Sequence, residues 1–74
     1  MKSNELQKMA YGKQKRLQGN GFVVFVTRMK PLYDGEKDRY WVNALAFRSS
    51  GKTGRCFETK NPEEAAQFIT DFIN

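Results

Sequence analysis

Seventy-four residues with 13 Lys and Arg, 8 Asp and Glu, no histidine and one cysteine make a basic chain of net charge +5. A chain of that length builds one small core and no second one. Without histidine the sequence holds no Ser-His-Asp or Cys-His pair and no His-based zinc site, and with Cys56 alone it forms no internal disulfide.

No apolar run nears the roughly 20 residues that cross a bilayer, and the first residues lack the apolar stretch of a secretion signal, so the expectation is a cytoplasmic protein without a membrane partner. The charge is uneven along the chain. Up to residue 30, Lys2, Lys8, Lys13, Lys15, Arg16, Arg28 and Lys30 stand against Glu5 alone. From residue 58 onward, Glu58, Glu63, Glu64 and Asp71 stand against Lys60. A basic front and an acidic tail make a dipolar molecule that attracts polyanions on one side.

Residues 1–20 read as a basic N-terminal arm or a short helix. Leu6, Met9, Ala10, Lys13 and Leu17 fall at helical spacing behind an Asn4–Gln7 capping pair, but Gly12 interrupts them. The pattern predicts a helix over Glu5–Tyr11 that frays into an arm from Gly12 to Asn20, and Gly19-Asn20-Gly21 punctuates entry to the domain at 21–74. Phe22-Val23-Val24-Phe25-Val26-Thr27 is a run of strand formers, and Pro31 ends it. Tyr40–Phe47 predicts a second strand and Arg55–Thr59 a third, with turns at Asp34-Gly35 and Ser49–Gly54. Asn61 as N-cap, Pro62 at the first position and Glu63-Glu64 in the first turn open a helix whose Ala65, Phe68, Ile69, Phe72 and Ile73 form one apolar stripe. The fold class expected is α+β, a three-stranded antiparallel sheet packed on a C-terminal helix.

Both faces of the predicted sheet are largely apolar, and one helix covers one face. On volume, Trp41, Leu45 and Phe47 are placed under the helix and Cys56 is read as a buried strand residue. The face around Tyr40, Val42, Phe22 and Val24 is then left open for a partner or for a homodimer.

Gly51-Lys52-Thr53 is not a phosphate loop, because Ala46 stands where the motif needs glycine and a strand follows where it needs a helix. Asp34, Glu36 and Asp38 lack EF-hand spacing, and no two carboxylates suggest a catalytic cleft, so neither an enzyme nor a cofactor is expected. The informative pattern is cations interleaved with aromatics: Tyr33, Arg39, Tyr40, Trp41, Phe47, Arg48, Arg55 and Phe57, beside Arg28 and Lys30. Arg and Lys meet phosphates or guanine edges, and an exposed aromatic stacks on a base or presses on a thymine methyl.

Over residues 22–73, and most plainly at Arg55–Phe68, the chain resembles the three-strands-plus-helix DNA-binding domains, namely the arm-binding domains of phage-type integrases and the plant GCC-box domains. Phe57 and Thr59 match the close of their third strand, Glu63, Glu64, Ala65 and Ala66 their helix opening, and Tyr40-Trp41-Val42 their aromatic second strand. The double-stranded-RNA-binding domain has a basic start to its last helix, where this chain has Glu63-Glu64, and is set aside on charge. The resemblance implies a sheet laid in the major groove with the helix behind it, and contacts from Arg28, Lys30, Arg39, Arg48 and Arg55. Lys52 joins them from its turn, and Lys13, Lys15 and Arg16 from the arm.

The expected function is a small basic protein of a phage or mobile element that binds duplex DNA. The competing expectation is a phage-encoded interaction module that docks on, and inhibits, a host nucleic-acid-processing or defence complex.

Overall fold

Asn20 and Gly21 both have positive φ, 49° and 82°, the backbone of a two-residue type I′ turn. That turn folds the basic segment back onto the predicted first strand. In the computed structural model, which describes residues 2–74, the order is α1 (Ser3–Gln7), β1 (Gln14–Gly19), β2 (Phe22–Met29), β3 (Arg39–Ala46), a 3-10 turn at Arg48–Ser50, β4 (Arg55–Thr59) and α2 (Pro62–Ile73). Met1, the first residue of the predicted arm, lies outside the described residues. The sheet is a four-stranded antiparallel meander, β1-β2-β3-β4.

Four strands replace the three expected. The arm from Gly12 to Asn20 is in large part β1, paired with β2 from Gln14↔Thr27 to Gly19↔Phe22. Its sequence hides this because an edge strand needs few apolar residues, and lysine on an edge discourages pairing with another chain. Only Leu17 of β1 packs against the core. The N-terminal helix is shorter than its periodicity suggested and has no side-chain cap; Lys2, not Asn4, is its N-cap residue. Leu6 nevertheless reaches full burial in the common core.

The sheet's buried side is the reverse of the volume-based expectation. Phe22, Val24 and Val26 of β2 and Tyr40, Val42 and Ala44 of β3 form the core with Leu6, Ala65, Ala66 and Ile69. Trp41, Leu45 and Phe47 remain 41%, 45% and 37% exposed, whereas Tyr40 is 2% exposed. Register explains the choice. Val26 stands opposite Val42 and Val24 opposite Ala44, so the β2 and β3 residues of one face present a low surface. Ala65 and Ala66 lie closely on such a surface, and a Trp41 in that position would hold the helix away. Cys56, expected in the core, is exposed on the opposite face.

α2 is held as its sequence dictates. The Asn61 side chain accepts the Glu63 amide at 2.9 Å, and the Thr59 hydroxyl donates to Glu64 at 2.9 Å. Phe57 stacks on Phe68, and Phe72 meets Phe22 edge-on, each at 4.8 Å between centroids. At its far end α2 approaches β1 where only glycine fits: a Cβ on Gly19 would lie 2.6 Å from the Ile73 carbonyl oxygen. Both helices therefore lie against one face of the sheet, and the other face is uncovered.

Candidate nucleic-acid interface

Residues two apart on a strand share a face, so the register fixes what the uncovered side presents. Gln14, Thr27, Trp41 and Glu58 form one cross-strand row. Arg16, Phe25, Asn43 and Cys56 form the next, and Gln18, Val23 and Leu45 a third. Met29 and Arg39 are opposite each other at one end. This surface mixes one guanidinium free of ion pairs among the described residues, amides, a hydroxyl and aromatic and aliphatic side chains. It lies across the sheet from α2, whose first turn is acidic and whose last turn has no cation.

The nine cations expected to bind together do not share that face. Arg16 lies on it without an ion-pair partner among the described residues. Arg39 lies on it too, but Glu58 holds its guanidinium at 3.1 Å. Lys13 and Lys30 flank the strand ends beside Gln14 and Met29, and Arg48 opens the turn after β3 at the opposite end. Lys15 alternates to the helix side of the edge strand, exposed, opposite Val26. Lys52 donates to the Asn20 carbonyl at 2.6 Å and its side-chain oxygen at 3.0 Å, tying the turn before β4 to the first hairpin. Arg55 also alternates to the helix side and lies 5.7 Å over the Phe68 ring.

Arg28 has an internal role. Its guanidinium donates to Asp38, to the Met9 carbonyl at 2.9 Å and to the Tyr11 hydroxyl at 3.3 Å, and stacks 4.4 Å over the Tyr11 ring. Tyr11 in turn donates to Asp38 at 2.9 Å. This fork-shaped clamp ties the α1–β1 connection to the sheet and sets the entry to β1. Burial pushes the Asp38 carboxyl upward, but the hydrogen bonds from Arg28 and Tyr11 outweigh it and hold the pKa below the ordinary value of 3.8. The hydrogen bond to Asp38 raises the Tyr11 hydroxyl, and burial raises Tyr40.

A polar cleft of about 800 Å³ opens where the β2–β3 loop meets the start of α2. Several of its charges are already partnered: Arg28 with Asp38, Lys60 with Glu36 at 3.0 Å, and Glu64 with the Thr59 hydroxyl, whereas Lys37 and Glu63 line it without an ion pair among the described residues. Among the described residues Asp34, Glu36 and Asp38 do not converge as a cation site.

The residues that sequence reasoning missed are Gln14, Gln18 and Asn43, the amides of the open face. Reading Asn20-Gly21 as a hairpin turn would have found the first two, because alternation from that turn puts Gln14, Arg16 and Gln18 on one side. No protein-family model, curated protein or solved structure matches this chain.

Proposed function

We propose that the protein binds duplex DNA through the open face of β1–β3, with Lys13, Lys30 and Arg48 around its margin meeting phosphates and Lys15, on the helix side of the edge strand, reaching them past that edge. The observation that carries this reading is the separation of layers: a face of Arg16, amides and aromatic side chains on one side, an acidic helix on the other. Three strands at ~4.8 Å spacing form a surface about 10 Å across, comparable to a major groove about 12 Å wide. The groove offers donors and acceptors to Arg, Asn and Gln, and a thymine methyl to apolar side chains. Arg28 has no part in this contact; Arg39 contributes only by leaving Glu58.

The test is fluorescence anisotropy with a labelled duplex across ionic strength. Wild type is expected to bind at low salt and weaken steeply as salt rises, and the triple change K13E/K15E/R16E to abolish binding while circular dichroism stays native. Duplex affinity that is undetectable at low salt, or indifferent to salt, overturns the proposal.

One observation favours a second reading. Trp41, Leu45 and Phe47 are exposed large apolar side chains of the kind that anchors a protein partner. A docking module that inhibits a larger complex would lose its partner on Trp41→Ala and keep it through K13E/K15E/R16E. Duplex binding responds to the charge reversal most.

A further inference from the structure

We infer that Arg16 and Asn43 discriminate the DNA sequence, Arg16 by a guanine and Asn43 by an adenine, in an inference that rests on the duplex-binding reading above. The two stand in one cross-strand row on either side of Phe25. Two strand spacings put their Cα atoms about 10 Å apart, so the bases they meet lie within roughly three base-pair steps.

Their chemistry differs from that of their neighbours. Arg39, the other guanidinium of the face, has its fork engaged by Glu58 at 3.1 Å and by the Lys30 carbonyl at 3.4 Å. Arg16 is exposed and makes no hydrogen bond or ion pair through its side chain among the described residues, so both edges of its fork are available to guanine O6 and N7. The Asn43 amide is oriented by its own sheet. The Cys56 thiol donates to Asn43 Oδ1 at 3.1 Å, which leaves the Nδ2 hydrogens and the second Oδ1 lone pair for an outside partner. Adenine answers that pair of groups, accepting at N7 and donating from N6. Phe25 between them is half-buried and keeps the two polar groups apart. The marginal lysines contact phosphate without reading bases, so they supply affinity and these two residues the choice.

The experiment selects duplexes from a random library with the wild-type protein, then compares affinity for the enriched duplex and for a scrambled one at a single salt concentration. An enriched sequence with a guanine and an adenine within three steps is expected. Arg16→Lys keeps the charge and loses the fork, so binding to the scrambled duplex should persist while the preference for guanine falls about 5- to 100-fold. Asn43→Ala should lower the preference for adenine by a similar factor. Persistent binding to the scrambled duplex also reports that each variant is folded. Binding with no enriched sequence, or with a preference that both variants keep, overturns the inference and leaves the duplex-binding reading standing. No binding to any duplex at low salt overturns both.

Discussion

Arg28 looks like a nucleic-acid contact in the sequence because it sits in a basic stretch at the end of an apolar strand. In the fold it faces the helix side opposite Tyr40, where a free guanidinium is costly and a paired one organises its surroundings. Asp38 is the partner that decides its value. With side chains 18% and 20% exposed, the pair is partly screened, so Asp38→Asn should cost about 1–2 kcal/mol at neutral pH. The pH dependence has a definite sign. Because the folded-state pKa of Asp38 lies below 3.8, its contribution is complete above that value and disappears as the pH falls through the lowered pKa. Urea unfolding of wild type and D38N should therefore differ more at pH 7 than in acid below the lowered Asp38 pKa. An equal difference at both would mean that shape and not charge is responsible. Tyr40 acts at the other end of the scale: its pKa is raised above 10.0 by burial, so its contribution is present below that pH and lost as alkaline conditions ionise it.

The elements divide into those that announce themselves and those that depend on neighbours. The start and the buried face of α2 were legible because Asn61, Pro62 and the Ala65–Ile73 stripe are local signals of both. β2 and β4 were legible from their β-formers. β1 was not, since a solvated edge strand of Gln, Lys and Arg carries almost no pattern, and its existence depends on the turn that delivers it to β2. The sheet's orientation was not legible either. Alternation in β3 specifies two faces, but side-chain volume misjudged which is inside, because helix packing against a sheet favours a low surface over a bulky one. The candidate site follows the same division: Lys13, Lys15 and Arg16 were visible as charge, while Asn43 became relevant only once the face was known. This assignment predicts unlike outcomes at neighbouring positions of one strand. Val42→Ser should cost about 2–4 kcal/mol, leaving a cavity and a hydroxyl among Val26, Phe57 and α2. Leu45→Ser on the open face should cost less than about 1 kcal/mol. Thermal denaturation distinguishes them, and a larger loss at Leu45 would mean that the other face is buried in solution.

For the whole molecule, what matters is which cations remain free to act outward. The chain measures 43 × 20 × 18 Å, a little more than one ~34 Å turn of B-DNA along its longest axis, so under the proposed duplex binding it is long enough to meet phosphates over about one turn. Of the nine candidate contacts, Arg28, Arg39 and Lys52 already hold an acid or a carbonyl of their own chain, and Arg55 and Lys30 lie over the rings of Phe68 and Tyr11, Arg55 on the helix side. Lys13, Lys15, Arg16, Lys30 and Arg48 make no ion pair among the described residues. If three to five of these neutralise phosphates, the plot of log affinity against log salt should have a slope of about −2.7 to −4.5, since each contact releases roughly 0.9 of a counterion. Lys13→Gln with Lys15→Gln should flatten that slope by about 2 and weaken binding to all sequences alike. Lys52→Gln removes one positive charge as well, but from a lysine bound to Asn20, so it should leave the slope within about 0.5 of wild type and act mainly on the stability of the first hairpin. If Lys52→Gln and Lys13→Gln flattened the slope equally, net charge alone would govern association, and the open face would have no special claim on the DNA.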